Sequence, residues 1–284
     1  MTKSLHYRFR IWRDKLFTLF AVSSALLGIG LLLVILFQVF SEGMAALSLD
    51  TFTRTTPPPG EKGGLINAIV GSIMMSGLTM LIAIPVGIMA GIYIAEFKRK
   101  GKLAALTWFL NDIMLSAPSV VFGLFVYLIV VRPTHSFSGY AGAFALALIA
   151  IPIILQTTRD MLLLVPNTLR EAAKALGAPT WYVVFTICFR VAGPGIITGL
   201  LLAFARIIGE TAPLLFTALN NQFWNVSMTG PTPNLPVTIY QLALSPYPDW
   251  HQLAWAGAMI ITLTVLSLNI ATRFLSSGVP NNRL

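Results

Sequence analysis

Hydrophobic residues fall along this chain in long blocks separated by short polar stretches, without the alternation of a half-buried strand. Phe17 to Phe40 carries no charged residue, and neither does Leu65 to Ala95. Ile113 to Val131, Phe137 to Thr158, Val191 to Ala205 and Leu253 to Thr272 are uncharged as well. About 20 apolar residues in a helix cross the ~30 Å hydrocarbon core of a bilayer. Six membrane helices are therefore expected, over about 17–40, 66–97, 113–132, 137–158, 183–219 and 251–275. Pro152 interrupts the fourth block, and the fifth reaches full length only by running past Arg206. A β-barrel also satisfies every backbone group in lipid, but it needs short alternating strands that these blocks do not offer. The expected fold is an all-α integral membrane protein forming one transmembrane domain over residues 1–284.

Composition agrees with this pattern. Of 284 residues, 56% are hydrophobic and 10% charged, whereas an average soluble chain carries about 25% charged residues. The first block follows a basic stretch, as a signal peptide would, but its length of about 24 residues exceeds the ~7–15 of a cleavable apolar core. It is expected to stay as the first helix. The single cysteine, Cys188, has no intrachain disulfide partner.

The formal charge of +9 matters less than its placement. Lys3, Arg8, Arg10, Arg13 and Lys15 precede the first block. Lys98, Arg99, Lys100 and Lys102 lie between the second and third, and Arg159, Arg170, Lys174 and Arg190 between the fourth and fifth. Arg273 and Arg283 follow the last. The opposite loops hold only Arg54, Lys62 and Arg132, which sets fifteen basic residues against three. By the positive-inside rule both termini are expected in the cytoplasm. This asymmetry explains the basic stretches without nucleic acid as a partner.

Three stretches shape the membrane region further. Pro57, Pro58 and Pro59 make the first outside loop stiff and extended. Pro85, Gly87 and Gly91 make the second helix bent or closely packed. The outside segment from about 220 to 250 holds five prolines together with Trp224 and Trp250, and it either folds over the pore mouth, docks a partner or forms an ordered cap.

Between the fourth and fifth blocks, residues 167–177 read as a short cytoplasmic helix. Asn167 or Thr168 can cap its start, Leu169 to Leu176 favours helix, and Gly177 with Pro179 ends it. Its alanines permit close approach by another protein, and Arg170, Glu171 and Lys174 offer polar contacts. Glu171, Ala172 and Ala173, then Gly177 four residues on, resemble the EAA loop of ABC importer permeases. That family continues with Ile-x-Leu-Pro, whereas here Ile187 is followed by Phe189 and Arg190. The resemblance implies that Arg170, Glu171, Ala172, Ala173 and Gly177 couple the chain to a separate ATPase. The chain itself has no G-x-x-x-x-G-K-[ST] run to hold a nucleotide.

Inside the fifth block, Arg206 and Glu210 stand four residues apart on one helix face. Each charge costs about 2.5–3.5 kcal/mol near a helix centre on the insertion scale, so pairing, a bundle interior or a watery path must offset it. Gly199 and Ala203 on about the same face let a helix or solute come close. Pro213 leaves the carbonyl of Gly209 without its helical donor, which is expected to loosen the helix there. A guanidinium fork can bond two oxygens of an oxyanion. A buried ion pair that only fixes packing is the plain alternative.

The run from Arg206 through Glu210, Thr211 and Pro213 to Ala218 closely resembles the signature of PstA-type phosphate permeases. Leu110 to Ser119, Gly87 to Glu96 and Leu235 to Ile239 match as well, so the resemblance covers nearly the whole chain after the first helix. It implies a type I ABC importer permease fold and a non-catalytic subunit of a phosphate importer. The implied partners are a PstC-like permease, two copies of a PstB-like ATPase that binds ATP and Mg, and a PstS-like external phosphate-binding protein. The chain needs no cofactor of its own. The implied substrate path holds Arg206, Glu210, Thr211, Gln156, Thr157 and Arg159. In the family an arginine precedes the Thr157-Thr158 pair, and here that position is Gln156, with Arg159 about one turn on. Asn111, Asp112, Ser116 and Ser119, beside Pro118, are weaker candidates that helix packing explains equally well. His6, His135 and His251 are scattered, and no metal site is expected. The competing readings are a permease for sulfate or molybdate, a proton-driven secondary transporter with Glu210 as relay, and a membrane-embedded signalling subunit.

Overall fold

The computed structural model describes residues 5–97 and 101–277. Among these, five helical segments are long and apolar enough to cross a membrane: Phe9–Ala46, Ile66–Phe97, Gly139–Leu163, Thr180–Ile208 and Pro248–Phe274. Lys102–Ser116 and Ser119–Thr134 are together apolar enough for a sixth crossing, but they meet at a bend of 108°, the geometry of a broken span or of a re-entrant loop. The helix expected over 113–132, with a bend at Pro118, is divided there into two helices, of which the first begins earlier, at Lys102. Pro118 disfavours the helical conformation at the residue before it, and Ala117 accordingly takes φ −72°, ψ 137°. Lys3, Lys98, Arg99, Lys100 and Arg283, part of the charge asymmetry, lie outside the described residues.

We number the helices α1 (Leu5–Ala46), α2 (Leu49–Thr53), α3 (Ile66–Ile92), α4 (Lys102–Ser116), α5 (Ser119–Val126), α6 (Gly139–Leu163), α7 (Asn167–Ala175), α8 (Phe189–Ile208), α9 (Ala212–Thr217), α10 (Leu235–Ala243) and α11 (Pro248–Ser277). Pi-helical turns extend α3 over Tyr93–Phe97, α5 over Tyr127–Val131 and precede α8 over Val183–Cys188.

Glycine sets one close helix pair. A Cβ on Gly87 would come within 2.7 Å of Ile154, and one on Gly91 within 2.8 Å of Thr158. Small residues at these spacings let α3 and α6 approach backbone to backbone, the usual way membrane helices gain packing without a hydrophobic drive. The hydroxyl of Thr79 also donates to the carbonyl of Ala143 at 3.1 Å. Around this pair, Met75, Ala83, Leu146, Ala150, Ile207 and Leu214 form the main core. Pro152 stays inside α6 without ending it.

The two interrupted segments meet. A Cβ on Gly123 of α5 would come 2.6 Å from Cα of Pro213 in α9. At the same end of the bundle, the segment before α10 is tied down. Asn67 accepts from the N–H and hydroxyl of Thr56 and donates to the carbonyls of Asn221 and Gln222. Asn234 caps α10 by accepting from the N–H of Val237. The segment is therefore ordered and tied to the start of α3. By contrast, α1 touches α11 near Gly43, whose Cβ would meet Met259, while its apolar side chains from Phe9 to Phe37 are largely exposed.

Candidate functional site

Within the fifth span, α8 ends at Ile208, Gly209 follows as its cap, and α9 restarts at Ala212 with Pro213 in its first turn. Glu210 and Thr211 occupy this interruption, where the missing N–H of Pro213 leaves the ladder open. Nε of Arg206 stands 3.7 Å from Oε1 of Glu210, and the two side chains are 55% and 17% exposed. That separation is an ion pair without a hydrogen bond. Thr211 is half-buried, and its carbonyl accepts from the N–H groups of Leu214 and Leu215.

Of the two neighbours expected at the small residues near Arg206, a helix or a solute, it is a helix that comes close at Gly199. Gly199 and Ala203 are buried, with Thr157 of α6 seated against Gly199. This stripe packs the chain on itself, and Arg206 projects from the surface of the subunit beside it.

The other path candidates lie at other levels of the bundle. Thr157 faces Gly199 and Met161 faces Gly195, so α6 and α8 run antiparallel. At 1.5 Å per residue, the level of Gln156 and Thr157 is roughly 10 Å from that of Arg206, and Arg159 about 14 Å. Gln156 is exposed. Thr157 gives its hydroxyl to the carbonyl of Ile153 at 2.8 Å. Arg159 is engaged, 2.9 Å from Oδ1 of Asp160 and 4.1 Å above the ring centroid of Trp108. These residues form a string along the bundle axis, not one cluster with Arg206. Of the weaker candidates, Asn111 is buried with its side-chain amide unpartnered, while Asp112 and Ser116 are exposed and Ser119 is half-buried.

The helix α7 joins the fourth and fifth spans. Its stop follows from Gly177, which takes φ +83°, a conformation that costs glycine little. The N–H of Gly177 bonds the carbonyl of Lys174, and that of Ala178 the carbonyl of Ala173, the Schellman pattern. Its start differs from expectation. Pro166 precedes the helix, and Asn167, instead of capping it, accepts from Nη1 of Arg170. Glu171, Ala172 and Lys174 are exposed, with Leu169 and Leu176 beside them. Ala173 and Arg170 are buried.

Arg170, expected on the partner-facing surface, turns inward. Its Nη2 lies 2.7 Å from Oε1 of Glu96 and its Nε 3.3 Å from Oε2, with side chains 9% and 7% exposed. It also donates to the carbonyls of Leu162 and Val165. Burial works against the guanidinium charge, but the hydrogen bond and charge of Glu96 outweigh it, so the pKa of Arg170 lies above its ordinary value. Glu96 escaped the sequence reading. The signal was a single acid closing the apolar run from Leu65, just ahead of the basic stretch from Lys98 to Lys102.

Residues 83–280 match the family described as binding-protein-dependent transport system inner membrane component. The Phosphate transport system permease protein PstA of Haemophilus influenzae is 55% identical over 271 residues, covering 95% of this chain and 96% of that protein. The protein of the same name from Yersinia pestis is 52% identical over 266 residues, covering 92% and 90%. Among solved structures, a chain of the bacterial alginate ABC transporter in complex with its alginate pentasaccharide-bound periplasmic protein superposes with a TM-score of 0.61 at 16% identity, covering 94% of this chain and 96% of that one. A chain of the inward-facing MetNI methionine ABC transporter gives 0.61 at 18% identity, covering 75% and 95%. These two show the fold, that of type I ABC importer permeases.

Proposed function

The chain belongs to the binding-protein-dependent transport system inner membrane components and, within them, to the PstA-type permeases, and from that premise we propose that it carries inorganic phosphate into the cytoplasm as one of two permeases in an ATP-driven importer. It is an inner-membrane, multi-pass protein. The observation that carries the phosphate reading is Arg206: a guanidinium held 3.7 Å from its carboxylate and more than half exposed on a membrane span, at the point where the helix opens. A charge so placed needs water or a second subunit against it. A PstC-like permease on that face would enclose a path, along which Arg206 offers phosphate oxygens its two-pronged donors. Glu210 accepts from a proton-bearing oxygen or holds Arg206 while the path is empty. Thr211 stands in the same opening, and Gln156, Thr157 and Arg159 lie nearer the α7 end.

Energy comes from two copies of a PstB-like ATPase, which bind ATP and Mg and seat the exposed face of α7, where Glu171 and Ala172 are free to touch another protein. The chain is non-catalytic, with both termini and α7 in the cytoplasm, and a PstS-like protein delivers phosphate at the opposite end. The test is the purified complex in proteoliposomes. Phosphate-loaded binding protein should stimulate its ATPase while sulfate and molybdate do not, and Arg206→Ala should lose uptake while still assembling. Removing an arginine from an anion contact costs about 2–5 kcal/mol, more than tenfold. Stimulation by another oxyanion would reassign the substrate, and uptake surviving loss of the ATPase would favour a proton-coupled transporter.

A further inference from the structure

The buried ion pair between Arg170 and Glu96 joins three ends that meet beneath the membrane bundle. Glu96 lies in the pi-helical turn that closes the second span, Leu162 contributes its carbonyl from the last turn of α6, and Arg170 belongs to α7. Along α3 the residues facing α6 are Gly87 and Gly91, set against Ile154 and Thr158. Ala95 continues inward, fully buried in the cluster that holds Leu162, and Glu96 follows it within the pi turn. The guanidinium meets it there with two nitrogens, while the third bonds Asn167 and the carbonyl of Val165.

Apolar contacts alone would hold α7 loosely. Ala173 packs among Ile92, Ala95, Val183, Val184 and Cys188, and such contacts are not directional. A two-pronged pair in that dry setting fixes distance and angle together. We propose that the Arg170–Glu96 pair is the joint that makes α7 move as one body with the cytoplasmic ends of the second and fourth spans. Glu96 and Arg170 are positioning residues in this scheme. Neither touches the ATPase or phosphate. Displacement applied to the exposed face of α7 passes through Arg170 to Glu96 and to the end of α6, and so to the tight α3–α6 pair. The proposal rests on the reading of α7 as the ATPase-facing helix.

The experiment uses the full importer in proteoliposomes with inorganic phosphate. It compares Glu96→Gln and Arg170→Lys with the unaltered chain. ATPase co-purification, ATP hydrolysis and phosphate moved per ATP are measured. Co-purification and hydrolysis should persist, because Glu171 and Ala172 are untouched. Phosphate per ATP should fall at least about fivefold, the lower end of ordinary coupling between sites. A purely structural pair would lower the yield of complex and leave phosphate per ATP normal in what assembles, and that result overturns the proposal. If the single variants do not assemble, Glu96→Leu with Arg170→Met removes both charges without stranding either. That complex should assemble and stay uncoupled, and a normal ratio in it also overturns the joint. Glu171→Lys separates the underlying reading. Lost co-purification there beside a normal ratio in Glu96→Gln refutes the joint alone, whereas normal co-purification and uptake in Glu171→Lys refutes the ATPase-facing role of α7 and the joint with it.

Discussion

A single guanidinium on a membrane span has few uses, and what surrounds it distinguishes them. Arg206 is held only loosely by Glu210, whereas Arg170 is buried with each of its three nitrogens engaged. Removing one partner of a tight buried pair strands the other, at about 3–5 kcal/mol. Arg206 faces outward, so Arg206→Ala should leave assembly intact. Arg206→Lys should restore uptake only in part, since the charge returns without the fork. If the pair were packing alone, Arg206→Ala with Glu210→Ala would recover transport by leaving no unpaired ion. We expect no recovery, and phosphate uptake in membranes with verified assembly decides it. Gln156→Arg should keep uptake, because the position is exposed and the resemblance implies that an arginine is tolerated there. Complete loss in an inserted variant would mean that the path has been rebuilt around glutamine. Arg206 and Glu210 stood out in the sequence because charges four apart in an apolar run have few readings. Arg170 with Glu96 did not, because their 74-residue separation hides a contact that only the packing of α7 beneath the second and fourth spans creates.

Breaks between helices do as much here as the helices. The sequence located them, since Pro118 and Pro213 are visible, but it gave neither the 108° bend nor the contact between the two interrupted spans. A bend angle depends on what each half packs against, which local propensity does not encode. Gly123→Val tests that contact. Its branched side chain would press on the backbone of Pro213, and overpacking of this kind costs about 1–3 kcal/mol. The expected result is a lower thermal transition of the purified complex, with reduced uptake because the opening at Glu210 is carried on the same segment. Gly177→Val should act at the other end of the molecule. A β-branched residue resists φ +83°, so α7 should fray at its exit. ATPase co-purification is expected to drop while membrane insertion stays normal, and unchanged co-purification would show that the stop is dispensable.

At the scale of the whole molecule, one end carries α7 with most of the described basic residues and the other carries the tied segment before α10. The crossings, fold class and α7 were readable because long apolar runs and a short amphipathic helix with a glycine stop are local signals. The assignment of faces was not, and Gly199 and Ala203 show why: smallness announces close approach without saying to which neighbour. The long first helix adds a matter of timing. Gly43 of α1 rests against Met259 of α11, about 200 residues later in the chain, and synthesis proceeds at ~5–20 residues per second. During biosynthesis α1 therefore waits roughly 10–40 s in the bilayer before this resting place has been made. It must be a helix that lipid alone can keep, which its uncharged run from Phe17 to Phe40 provides. Truncated nascent chains ending before α11 should accordingly hold α1 fully inserted, as glycosylation mapping of its flanks would report.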